Sequence, residues 1–154
     1  MIKLIEAHIS LRSLTEQITA AVQIHYDDSD VADTPVKISL TYNNILYQGN
    51  GKDYLWVDAF ADLQRKLPDN IKIACCMTCC HGNMCPYGNV ENQLFCTKDI
   101  KITDKKDMCN LFDKTNPFEE RAVAALDCCD DFVYQSDYYY TYNDYLYQLK
   151  KEGN

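Results

Sequence analysis

Residues 75 to 96 hold six of the chain's nine cysteines, in the run Cys75-Cys76-Met77-Thr78-Cys79-Cys80-His81-Gly82-Asn83-Met84-Cys85-Pro86-Tyr87-Gly88 and then at Cys96. Burial as small apolar side chains accounts for a cysteine such as Cys109, beside Leu111 and Phe112, but not for six crowded together. Nine thiols cannot all pair within one chain, and the adjacent pairs Cys75-Cys76 and Cys79-Cys80 suit simple bridges poorly. Clustered thiols in a reducing compartment serve a metal more readily than a disulfide framework. Cys76-x-x-Cys79 has the spacing that brings two thiolates from one turn onto a single ion, the local half of many zinc sites. No second pair follows at standard spacing, so the other half must come from Cys96, Cys109 or the Cys128/Cys129 pair. The expectation is one tetrahedral zinc held by Cys76, Cys79, Cys96 and either Cys128 or Cys129, with an iron–sulfur cluster as second choice. Other ligand sets stay open, since Cys75-x-x-x-Cys79, Cys76-x-x-x-Cys80, the His81 imidazole and Cys85 in the Cys85-Pro86-Tyr87-Gly88 turn also have workable positions.

A chain of 154 residues buries enough core to fold without staples, and is read as a single domain over 1–154. Its formal net charge of -8 and the want of any basic cluster speak against nucleic acid or an anionic membrane surface as partner. Apolar runs stay well short of the roughly 18 residues a spanning helix needs. Met1 to Leu11 has neither the basic start nor the small-residue cleavage site of a secretory signal, so the expected location is cytoplasmic.

Period-two alternation marks the first third of the chain as β-structure. Ile2 and Leu4 give way, after a phase change near Ile5-Glu6, to Ala7, Ile9 and Leu11, a strand with an expected bulge. Ile18, Ala20, Val22, Ile24 and Tyr26 form one face of a second strand. Asp27 to Pro35 reads as a solvated acidic loop lacking the EF-hand pattern. Val36 to Tyr42 and Ile45 to Tyr47 flank Asn43-Asn44 as a hairpin, and Gly49-Asn50-Gly51 reads as a break. Asp53 is placed to cap a long helix over 54–67 whose apolar stripe is Trp56, Ala59, Phe60, Leu63 and Leu67, ended by Pro68. A strand over 71–76 then runs into the cysteines, and Leu94 to Thr97 reads as another. Asp104 caps a short helix with Met108, Leu111 and Phe112, and Asn116-Pro117 with Glu119 reads as a capping box. Residues 121–129 fit helix or strand equally. The fold class expected is α+β: a mostly antiparallel sheet, one long packed helix and a cysteine-rich metal knot.

Two function classes follow. The first is a zinc-stabilised binding or interaction protein, of the toxin-neutralising immunity type among others, whose partner is a basic protein or a second copy of the chain. Its contact surface would be the C-terminal segment, where Tyr134, Tyr138, Tyr139, Tyr140, Tyr142, Tyr145 and Tyr147 mix with Asp137, Asn143 and Asp144. Tyr138, Tyr142, Tyr145 and Leu149 are spaced as one helical face. The second class is a small thiol enzyme in which His81 activates Cys80 or Cys85. Thioredoxin-like use of Cys76-x-x-Cys79 is opposed by Gly82, Pro86 and Gly88, which disfavour the helix such a site needs.

The pattern Cys76-x-x-Cys79, Pro86-Tyr87-Gly88, Cys96 and Cys129-Asp130-Asp131-Phe132 resembles a group of uncharacterised bacterial proteins that share C-x-x-C, Pro-Tyr-Gly, a third cysteine and C-x-x-F. The resemblance covers residues 71 to 132. It implies a bacterial cytosolic origin and a site of four cysteines with Cys129 as the fourth, and it implies no activity. The chain departs from the pattern by adding Cys75, Cys80 and Cys85, and by carrying Glu91-Asn92-Gln93 before Leu94.

Overall fold

The computed structural model describes residues 2–27, 35–52, 56–88 and 92–151. The acidic loop read at Asp27 to Pro35 lies largely outside them, as does the Asp53 cap. In chain order the elements are β1 (Ile2–Arg12), β2 (Gln17–Asp27), β3 (Val36–Tyr42), β4 (Ile45–Gly51), α1 (Trp56–Lys66), β5 (Lys72–Ala74), a 3-10 turn (Cys76–Thr78), β6 (Gly82–Asn83), β7 (Leu94–Cys96), α2 (Lys105–Lys114), α3 (Pro117–Glu120), β8 (Ala122–Val123) and α4 (Tyr145–Lys150). The class is α+β. The chain, expected as a single domain, contains two compact units, Met1–Ala74 with Asp144–Asn154, and Cys75–Asn143.

The first unit is an antiparallel sheet in the order β4-β3-β2-β1-β5, built from the strands that the alternation predicts. Its register is continuous from Ile2 opposite Asp27 to Arg12 opposite Gln17, so the bulge expected near Ile5-Glu6 is absent. Ile5, Ala7, Ile9 and Leu11 share one face, and Leu4 lies exposed on the other. An apolar residue on the solvated face had imitated a phase change. Asn43 and Asn44 both take positive φ, 49° and 61°, and join β3 to β4 in the two-residue hairpin that such residues favour.

Rather than breaking the chain, Gly49 and Gly51 belong to β4 and pair with Ile38 and Val36. They are glycine because α1 lies against them. A Cβ on Gly49 would run into the Ala59 carbonyl and come within 2.7 Å of the Leu63 Cβ. Gly49→Ala is therefore expected to destabilise this unit by about 1–3 kcal/mol, the usual range for overpacking, read as a lowered midpoint in urea.

The long helix expected over 54–67 is an ordinary one of 11 residues, one residue longer than α2. Its buried side is Val57, Ala59, Phe60, Ala61 and Leu63, and Leu67 is buried just beyond it, ahead of Pro68. Trp56 is half-buried instead of core, its ring tilted against Tyr26 at 6.4 Å. The stripe rotates toward Phe60 because the glycines of β4 allow α1 closest approach at Ala59 and Leu63. α4 packs beside α1, where Arg65 Nη1 donates to the Gln148 carbonyl at 2.7 Å.

The second unit has a small three-stranded sheet in the order β6-β7-β8. Phe95 of β7 is fully buried, edge-on to Phe112 at 4.9 Å and to Phe118 at 5.1 Å. Asp104 caps α2 as expected, accepting from the Asp107 amide at 2.9 Å. Asp104→Ala should cost about 0.5–2 kcal/mol, measurable as lost thermal stability. Pro117 opens α3, but Asn116 makes no side-chain cap bond. The ambiguous stretch after Arg121 is neither helix nor a full strand. It is the two-residue β8 followed by a turn in which the Asp127 carboxylate accepts from the Ala124 amide at 3.2 Å. Among the described residues no helix is long and apolar enough to cross a membrane.

Candidate metal centre

Three stretches distant in sequence converge on the cysteine turn, and backbone hydrogen bonds bring them there. The Cys76 amide donates to the Asp127 carbonyl at 2.6 Å and the Met77 amide to Ala125 at 3.0 Å, which sets the Cys128-Cys129 loop beside the 3-10 turn. β6 pairs Gly82 with Cys96, and the Thr97 amide donates to the His81 carbonyl at 3.0 Å. Cys96 in turn donates from its amide to the Arg121 carbonyl at 2.9 Å. Gly82 is required here, since a Cβ would run into the Cys76 carbonyl. Backbone geometry alone thus gathers Cys76, Cys79, Cys96, Cys128 and Cys129.

Those five cysteines, with His81, line one pocket. Its free space is about 20 Å³, above the ~10–15 Å³ that one water-sized centre needs. Lys98 and Asp131 stand at its rim and pair at 2.8 Å. All four cysteines expected as ligands are lining residues, and both candidates for the fourth position are present. Cys75, Cys80, Cys85 and Cys109 are not among the lining residues. Among the described residues no three His, Cys, Asp or Glu side chains form a ready-made cage for an ion, so the metal knot expected from the sequence is seen as a thiol-lined pocket.

The electrostatics favour a neutral thiol at Cys76. Burial pushes the Cys76 thiol far above its ordinary value, and the nearby Cys75, Cys79 and Cys96 sulfurs and the Asp127 carboxylate push it further. Burial likewise raises Cys75 to about 12, against hydrogen bonds from Thr78 and Met77 that favour the thiolate. Negative charge on Cys76 is therefore costly without a cation to balance it. A divalent ion reverses that balance and displaces the protons. The His81 amide points at Cys79 Sγ, 3.5 Å away, as outer donors do around ligating sulfur.

The same geometry bears on the thiol-enzyme alternative. Burial, and then the neighbouring Cys79, push the Cys80 thiol up to about 11. A catalytic nucleophile needs the opposite shift.

What sequence reasoning missed is the clamp around the turn. Gln135 Nε2 and Asn143 Nδ2 both donate to the Met77 carbonyl, at 3.1 and 2.9 Å. Asn143 also reaches the Gly82 carbonyl at 3.0 Å, and the Thr141 hydroxyl donates to the Cys80 carbonyl at 2.8 Å. The buried Asn83 accepts from the Tyr142 amide at 2.7 Å and donates to Thr97 Oγ1 at 2.9 Å. A segment that attracts notice for its tyrosines therefore acts through its amides. Because these bonds hold 134–143 extended and turned, Tyr138 and Tyr142 cannot share a helical face with Tyr145, where α4 begins. Tyr145 is buried, whereas Tyr138, Tyr139 and Tyr147 are exposed.

No family model, curated protein or solved structure matches the chain.

Proposed function

We propose that this protein is a zinc-stabilised binding module, its ion held by Cys76, Cys79, Cys96 and Cys129. The observation that carries the reading is the convergence of these four cysteines, from three separate stretches, on one pocket. Soft thiolates and a compact site suit zinc better than a cluster. Closing on the ion requires side-chain rotation and deprotonation, which the ion itself drives. The role of the metal is then structural, joining the turn, β7 and the 127–132 loop. The function resides in the surface so stabilised. That surface is acidic overall, with net charge -8 for the chain, and it presents Tyr138 and Tyr139 to solvent, which suits a basic protein partner or a second copy.

Metal analysis of the purified chain tests the first half. The expected result is one zinc per chain, lost in each of Cys76→Ser, Cys79→Ser, Cys96→Ser and Cys129→Ser. Unchanged metal content and thermal stability across all four variants would refute the site. The second half predicts that Tyr138→Ser with Tyr139→Ser leaves the fold intact and weakens association. Sedimentation of the double variant against the parent chain measures this.

A further inference from the structure

We infer that Cys129 is a peroxide-reactive thiol whose oxidation expels the metal, making the site a redox-released one. This rests on the zinc reading above and adds regulation to it. Cys129 is the one exposed cysteine of the nine, so an oxidant from solvent meets this sulfur before the others. It stands in a pocket with Cys76, Cys79, Cys96 and Cys128, which gives it resolving thiols on other segments. A bridge to Cys128 would strain adjacent residues, which leaves the thiols on the other segments as its partners.

The rim supplies the remaining group. Lys98 lines the same pocket as Cys129 and Cys96. It is held there by Asp131 at 2.8 Å, and the Phe132 amide donates to the Cys129 carbonyl at 3.2 Å, turning the loop. An ammonium at the mouth of a thiolate pocket can donate to the departing oxygen of a hydroperoxide.

The chemistry balances with hydrogen peroxide as the oxidant. The Cys129 sulfur attacks one peroxide oxygen, the O–O bond breaks, and the leaving hydroxide takes a proton from Lys98 to become water. The resulting sulfenic acid is attacked by a thiolate across the pocket, from Cys76, Cys79 or Cys96. An S–S bond forms, the S–O bond breaks, and a second water leaves after protonation. Two sulfurs have given two electrons, peroxide has become two waters, and the ion has lost two of its four ligands.

The test uses the zinc-loaded full chain, hydrogen peroxide and a chromogenic zinc reporter, with the disulfide mapped by mass spectrometry. Zinc should leave in step with a disulfide joining Cys129 to Cys76, Cys79 or Cys96, and thiol reductant should restore binding. Lys98→Met should keep its zinc but release it several-fold more slowly. Release with Cys129 still reduced, or at the parent rate in Lys98→Met, overturns the inference. So does zinc that peroxide does not displace, and in that case the zinc site itself stands. A parent chain that binds no zinc defeats both readings.

Discussion

On the proposed zinc reading, a strong chelator is expected to abolish slow amide exchange at Cys76, Cys80, Cys96 and Gln135, the positions that tie the cysteine segments together. Structural zinc sites contribute about 10–16 kcal/mol of apparent binding free energy near neutral pH. That matches or exceeds the ~5–15 kcal/mol net stability of a whole domain. The Cys75–Asn143 unit has few regular elements to fall back on, since its sheet is three short strands. Exchange protection that survives chelation unchanged would show that the clamp of Gln135, Thr141 and Asn143 suffices without metal.

On the proposed zinc reading, the metal should add an acid limb to the pH dependence. In the metal-free chain Cys75 is held neutral, its thiol raised from 9.0 to about 12 by burial. A group whose folded-state value is raised contributes stability that is complete below the unfolded value. That contribution is lost as pH climbs from about 9 through about 12, so alkali should unfold the metal-free form. The zinc-loaded form should also fail in acid, where protons compete with the ion for sulfur. Urea midpoints measured across pH for the two forms will show whether the acid limb belongs to the zinc-loaded form alone.

The second large effect belongs to the first unit. Phe60→Ala should destabilise it by about 3–5 kcal/mol, the cost of emptying a fully buried aromatic site. Phe60 has no exposed surface and lies on the side of α1 that packs over β3 and β4. Half-buried Trp56, by contrast, should tolerate alanine at smaller cost, with its fluorescence already reporting partial contact with water. A loss at Trp56→Ala as large as at Phe60→Ala would mean the core is centred differently.

Local pattern determined much of this protein. Strict alternation in Gln17–Asp27 and Val36–Tyr42 specified which side chains face the core, because a strand has only two faces. Asn43-Asn44 specified the hairpin, since few residues accept positive φ twice in succession. Asp104 announced the start of α2, and Cys76-x-x-Cys79 announced the turn around which the pocket is built. Other features depended on what approaches from elsewhere in the fold. Gly49 and Gly51 look like chain breakers until α1 is seen resting on them, and Leu4 looks like a phase change until its face is known to be solvated. The bonds from Gln135, Thr141 and Asn143 to carbonyls some 60 residues away leave no periodic signal. For the same reason spacing could offer Cys96, Cys109, Cys128 and Cys129 as partners for the turn and favour Cys96 with Cys128 or Cys129, but not show how any of them reaches it. Backbone pairing of Gly82 with Cys96, and of Cys76 with Asp127, brings all but Cys109 to the pocket. Spacing along the chain encodes local turns, whereas ligand convergence depends on hydrogen bonds between segments that only the folded chain brings together.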